Sequence, residues 1–329
     1  MFLEKEGKLI YSYDGETVCI EAWGKDALRV RATKNRSFTG RDWALEAKDA
    51  HAGEVEIFED PSAKGGAFAN MYEGTDTSYG KITNGKLHAV IDSGSVITFY
   101  HEDGRVLLKE HFRRLRDEES MPLNIMGREY SNGVGDNFRI VTRFVARKGE
   151  KIFGMGQYQQ HELDLKGCML ELAQRNSQVS VPFYLSSIGY GFLWNNPGVG
   201  QVMFANNGTE WVTESGKEID YLVIAGDTPA EIEENYMTLT GKPPMMPEYG
   251  MGFWQCKLRY WNQEQLLSVA RKYKELGVPL DVIVVDFFHW TKQGEFKFDP
   301  KYWPDVPGMC RELKEMGIQV VVSVWPTVD

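Results

Sequence analysis

Two short segments, Lys274-Glu-Leu-Gly-Val278 and Lys314-Glu-Met-Gly-Ile318, are near copies of one another forty residues apart. Each closes a stretch with helical spacing of apolar residues and leads into a β-branched run. In the first, Asn262 and Gln265 give an opening signal, Leu266, Leu267, Ala270, Tyr273 and Leu276 share one face, and Gly277 is the stop. The second starts near Asp305, carries Met309, Leu313 and Met316, and stops at Gly317. The runs that follow, residues 280–285 and 319–324, are apolar at almost every position, as in strands buried on both faces. With a further strand over residues 251–255, this is the pattern of successive β-α units in a parallel sheet.

Upstream the texture is different. From residue 1 to about 225, short apolar runs alternate with turn signals, and helical periodicity is scarce. The runs include residues 17–23, 28–32, 87–91, 95–100, 138–145, 181–185 and 190–194. Between them lie Asn84-Gly85, Asp103-Gly104, Asn132-Gly133 and similar pairs. Regularly spaced strands of this kind predict a large antiparallel β-sandwich. Thr228-Pro229-Ala230-Glu231 is a capping box with proline at the first helical position, so a helix is expected to about Leu239. The proline-rich stretch from Gly241 to Pro247 cannot continue it. Two domains follow, residues 1–240 and 241–329.

The second is short. From Glu248 to Asp329 there are 82 residues, against about 250 for a closed (β/α)8 barrel. Three strands and two helices leave apolar faces that further sequence, another chain or a second copy in a homo-oligomer would have to cover. The expectation is therefore a truncated barrel.

Composition narrows the partners. The 37 basic and 47 acidic residues give a net charge of −10, which argues against nucleic acid or an anionic membrane surface. A neutral polar substrate fits better. Cys19, Cys168, Cys256 and Cys310 have no metal-ligand spacing and suggest no disulfide framework. No His-x-x-x-His pair exists, and Gly154-Met-Gly156 lacks the third glycine and the βαβ context of a phosphate loop. Neither a metal nor another cofactor is expected. The charged N-terminus does not read as a signal peptide, and no run approaches membrane-spanning length, so the cytoplasm is the expected location.

At several points the chain resembles glycoside hydrolase family 31. The resemblance is carried by Phe153-Gly-Met-Gly-Gln157, by the stretch from Val181 to Asn195, by Pro247-Glu-Tyr-Gly-Met-Gly-Phe-Trp254, and by Val285-Asp-Phe-Phe-His-Trp290 through Phe298-Asp-Pro-Lys-Tyr-Trp-Pro-Asp305. These motifs occur in the family's order and span essentially the whole chain. The resemblance implies an N-terminal antiparallel sandwich related to that of the mutarotases, then a catalytic barrel, and an enzyme that cleaves α-linked sugars. Gln157 departs from the glutamate that many α-glucosidases carry there. The aromatic run after Asp286, with Ser323-Val-Trp-Pro326, looks more like the α-xylosidase branch.

In β/α barrels the functional groups collect at the carboxyl ends of the strands, and Asp286 falls at such an end. A carboxylate there either caps its loop or accepts sugar hydroxyls; the resemblance implies the latter, in the −1 subsite. Phe287, Phe288 and Trp290 would wall that subsite and fill the space of a C6 hydroxymethyl, which xylose lacks, or some of them point into the core. Trp325 is a platform or a packing residue under a neighbouring loop. Arg259 binds a hydroxyl or is a solvated loop charge, and Cys256, Lys257 and Tyr260 follow the same strand. His289 is the one histidine near this group.

Retaining hydrolysis needs a nucleophile and an acid/base, both carboxyl groups. The resemblance puts both beyond Asp329, so no catalytic residue is assigned and the 329 residues alone are expected to be inert. The implied partner is an α-linked oligosaccharide or glycoside. An α-glucosidase of the same family is the alternative, as is a noncatalytic carbohydrate-binding protein. A sugar epimerase on the sandwich is disfavoured, because no histidine-rich strand is present.

Overall fold

The structure, a computed structural model, describes residues 1–46, 49–61, 77–111, 113–115 and 123–328. They fall into two compact units, Met1–Lys242 and Pro243–Asp329.

Among the described residues, the first unit is built on antiparallel sheets. Its largest runs in the order Phe2–Lys5, Lys8–Tyr13, Glu16–Trp23, Ala27–Thr33, Ile219–Ala225, Tyr190–Trp194, Val179–Ser186 and Ile152–Gln157. Its centre joins the two ends of the unit, with Val30 opposite Tyr221 and Leu28 opposite Val223. Two five-stranded sheets complete the sandwich, one centred on Leu87–Asp92 and one on Thr209–Gly216. Alternation sends every second side chain inward, and the core that results is strongly aromatic. Phe144, Tyr184, Phe192, Trp194, Phe204, Trp211 and Tyr221 are all buried in it. Phe192 stacks on Trp211 at 5.1 Å and on Tyr221 at 5.2 Å, which ties the large sheet to the one centred on Thr209–Gly216.

The expected helix is present at Pro229–Thr240, with Thr228 accepting from the Glu231 amide. Its reciprocal bond is displaced by one residue: Glu231 accepts from the Asp227 amide at 2.9 Å. Ile232 and Leu239 anchor it on Trp23, Phe183 and Leu222, and Tyr236 lies flat on Phe183 with ring centroids 3.8 Å apart.

The second unit is a parallel sheet of three strands, Trp254–Gln255, Val282–Val285 and Gln319–Val322, with Val282–Val285 in the middle. Helices Gln263–Glu275 and Val306–Glu315 cover one face. Leu266, Leu267, Ala270, Met309 and Leu313 pack there with Ile283, Val285 and Ile318. The caps are those the sequence indicates. Asn262 accepts from the Gln265 amide at 2.9 Å while Gln265 accepts from the Trp261 amide at 2.8 Å, and Asp305 accepts from Gly308 at 2.9 Å. The near-copied segments end both helices in the same way, with Gly277 at φ 65° and Gly317 at φ 75°, the left-handed conformation that suits glycine after a helix.

Two expectations are corrected. Residues 251–255 do not form one strand: Glu248–Met251 is a short 3-10 turn and the strand is only Trp254–Gln255. The cause is Asp281, whose carboxylate accepts the Phe253 amide at 2.8 Å and whose side chain comes so close that a Cβ on Gly252 would lie 2.3 Å from it. Leu276 does not join the apolar face. It is the C-cap residue of its helix and is exposed, one step past the last residue that the helical period orients.

Candidate functional site

The site is built where two neighbouring strands of the Pro243–Asp329 unit end. Val285 closes the central strand, and the Ser323 amide still donates to its carbonyl at 2.9 Å, so the ladder holds register to the rim. Asp286 is the next residue and is half-buried. One of its carboxylate oxygens accepts the Phe287 amide at 2.8 Å, and the other lies 3.5 Å from the Cys256 thiol, whose single hydrogen also reaches the Lys257 carbonyl at 3.3 Å. Burial, and then the bond and charge of Asp286, push the Cys256 thiol above its ordinary range, so Cys256 stays a protonated donor.

The loop after Asp286 is wound around His289. That ring is buried, with Nδ1 3.0 Å from the Asp286 carbonyl. The His289 carbonyl accepts the Asp299 amide at 2.7 Å, and its ring lies 4.8 Å from both Trp290 and Phe298. This packing forces Phe288 to a φ of 59°, a region that a bulky residue rarely occupies, at a cost of roughly 1–3 kcal/mol. The consequence is that Phe288 is turned outward and half exposed while Trp290 is buried.

The structure brings all six expected residues into one neighbourhood. Phe287 stacks on Trp325 at 5.3 Å with planes 4° apart, Phe288 lies 4.6 Å from Phe287 and 6.0 Å from Trp325, and Trp290 lies 6.0 Å from Phe288 and Trp325. Trp325 stands three residues past its strand, not at its end. The Arg259 guanidinium sits 5.4 Å from the Phe288 ring and 6.0 Å from that of Phe287. Trp290, being buried, supports this wall more than it lines it. A cleft of about 520 Å³ opens on the far side of Phe288 and Trp290, between them and residues 291–295 and Val328, and Asp286 is not among its walls.

One residue of the group, Trp261, and one contact, that of Cys256 with Asp286, were not anticipated from the sequence. Trp261 lies 3.7 Å under the Arg259 guanidinium and is 60% exposed. An apolar residue just before an N-cap normally staples onto the first helical turn; that Trp261 instead stays exposed marks it as part of the surface. The thiol bond from Cys256 to Asp286 spans two strands and has no local sequence signal. The described residues contain no cluster of three metal-ligating side chains.

Comparison with known proteins bears directly on this arrangement. Residues 17–202 match the glycosyl hydrolase 31 N-terminal galactose mutarotase-like domain, and residues 243–329 match the glycosyl hydrolases family 31 TIM-barrel domain. A family 31 glucosidase of Pseudescherichia vulneris is 42% identical over 99% of this chain.

The chain belongs to glycoside hydrolase family 31.

Its sandwich is thus the family 31 mutarotase-like domain, and its β-α units are part of the family 31 barrel domain. An α-xylosidase of Saccharolobus solfataricus is 37% identical over 58% of the chain. Among solved structures, a family 31 α-xylosidase from a soil metagenome, complexed with xylose, superposes over 100% of the chain with a TM-score of 0.87 and 44% identity. The chain spans 60% of the length of the Pseudescherichia relative, 28% of the Saccharolobus one and 48% of the metagenomic one.

Proposed function

We propose that the full-length protein is a retaining α-glycosidase that releases terminal α-linked xylose. Asp286 accepts hydrogen bonds from two hydroxyls of the sugar, and the aromatic group beside it sets which sugar fits. One observation carries this reading. A half-buried carboxylate at the carboxyl end of a barrel strand stands next to Phe287, Phe288 and Trp325, and the Phe287 amide and Cys256 thiol that approach it are both neutral donors. Such a carboxylate keeps lone pairs for a polyol and gives it charge-assisted bonds. The aromatic bulk occupies the space that the exocyclic carbon of glucose needs. Steric discrimination by one such group is worth about 1–3 kcal/mol, or roughly 10- to 200-fold. The xylose complex of the 44% identical neighbour supports the same substrate class.

The carboxyl pair that does the chemistry stands about 5–5.5 Å apart in retaining enzymes. In this reading the pair belongs to later strands of the barrel, and the 329 residues on their own bind without hydrolysing. The test is steady-state hydrolysis of aryl α-xyloside and aryl α-glucoside by the full-length protein. A kcat/KM at least about tenfold higher for the xyloside is expected. Preference for the glucoside would transfer the assignment to α-glucosidase, and turnover of neither would remove the glycosidase reading.

A further inference from the structure

A second cleft, of about 650 Å³, is lined entirely by residues of the Met1–Lys242 unit. One wall is the segment between Thr33 and Glu46, which is staked to the sandwich by buried polar groups. Arg29, fully buried, donates to Asp220 at 2.6 and 3.0 Å, to the Asp42 carboxylate at 2.8 Å and to the Arg41 carbonyl at 2.9 Å. Asn195 donates to the Asp42 carbonyl at 3.1 Å and accepts from the Ala44 amide at 3.3 Å. Glu218, also buried, takes both the amide and the hydroxyl of Thr39 at 2.8 Å. Buried charges and amides are a costly way to fix an exposed loop. What they fix is Trp43, held at φ 54°, 44% exposed and part of the cleft wall.

The charges around this indole are largely spent on one another. Lys217 pairs with Asp136 at 2.7 Å, and Asp220 and Glu218 are consumed as described. The Arg41 guanidinium lies 5.2 Å from the Trp43 ring. Arg36 is exposed and has no carboxylate partner among the described residues, and the side-chain amide of Asn137 is likewise left to the cleft. An exposed indole face, a guanidinium and an amide, in a cleft without net charge to attract an ion, suit a neutral polyhydroxylated ring.

We propose that this cleft is a second carbohydrate-binding site, in which a pyranose of a neutral oligosaccharide stacks on Trp43 while Arg36 and Asn137 donate to its hydroxyls. The choice of a xylose-bearing oligosaccharide as ligand rests on the proposed α-xylosidase function; the cleft and its residues do not.

The test is calorimetric titration of the full-length protein, in a D286N background that slows turnover, with a heptasaccharide of cellotetraose bearing three α-xylosyl branches. The D286N protein should bind it, and D286N/W43A and D286N/R36Q should each weaken that binding at least tenfold. Among the described residues Arg36 makes no side-chain bond, so R36Q reports on binding even where W43A lowers stability. W43A and R36Q alone should leave kcat/KM for aryl α-xyloside unchanged. Titrations identical to D286N would overturn the proposal, as would loss of aryl xyloside turnover in R36Q. Full hydrolytic activity in D286N would count against the proposed function instead, and leave the Trp43 result to stand by itself.

Discussion

Phe287 and Trp325 lie face to face, ring centroids 5.3 Å apart and planes 4° from parallel, although each follows a different strand. The bond from the Ser323 amide to the Val285 carbonyl holds those two strand ends in step. The rim of the sheet therefore presents one continuous aromatic surface beside Asp286. A stacked pair of this kind adds about 0.5–1.5 kcal/mol beyond its buried area. W325A should raise KM for aryl α-xyloside by about 2- to 10-fold with a smaller change in kcat, because in the proposed function the ring orients sugar and takes no part in proton transfer. Initial-rate kinetics on the full-length protein check this.

Phe288 gives the sharper test of specificity. Its φ of 59° is strained for phenylalanine and natural for glycine. F288G removes the bulk and the strain together. The preference for α-xyloside over α-glucoside should fall by about tenfold or more, while the relieved strain, about 1–3 kcal/mol, offsets the loss of a half-exposed ring. Competitive hydrolysis of the two substrates, with a thermal melt alongside, reads both effects. An unchanged preference would show that Phe288 does not face the sugar.

A buried charge cluster dominates one end of the sandwich. Arg128 donates to both oxygens of Glu16 at 3.0 Å, to the Ser95 hydroxyl at 2.6 Å and to Glu110, which also accepts from Tyr221 at 3.1 Å. Burial pushes the Glu110 carboxyl up, and Arg128 pulls it back. R128M leaves two carboxylates without their cation and should destabilise the protein by about 3–5 kcal/mol. Adding E110Q should recover part of that. Urea unfolding of the single and double variants measures it; equal stability of R128M and wild type would contradict the role given to the cluster.

His88 sets a pH dependence. It is half-buried and stacked 5.1 Å from Tyr100, and burial, aided by Lys81, holds its pKa below the ordinary 6.5. A base whose pKa is depressed in the folded state contributes stability above its unfolded pKa, and that stability is lost as pH falls through the folded value. Melting temperature should therefore decline as pH drops below about 6.5, and H88Q should flatten that part of the curve.

Much of this architecture was legible in the sequence. The change from alternating runs to β-α repeats marks a real change of fold, because strand and helix periods cannot be satisfied by the same pattern. Asn262, Asp305, Gly277 and Gly317 act as the caps their positions suggest, since capping is a local interaction. The position of Asp286 followed from the apolar run before it. What stayed hidden depends on distant partners. Asp281 reshapes residues 248–253 from across the sheet, Cys256 reaches Asp286 from the neighbouring strand, and Arg29 finds Asp220 from 191 residues away. No window of sequence contains such pairs. The outward turn of Phe288 was equally hidden, because a left-handed backbone is expected at glycine or asparagine and not at phenylalanine.

The proposed function turns on Asp286 holding a sugar. A crystal structure of the full-length protein with bound xylose tests it most directly. Both Asp286 oxygens should lie within about 2.5–3.0 Å of sugar hydroxyls, with the C5 methylene of xylose directed at Phe287 and Phe288. Xylose bound with Asp286 outside hydrogen-bonding reach, its carboxylate still on Phe287 and Cys256 alone, would contradict it.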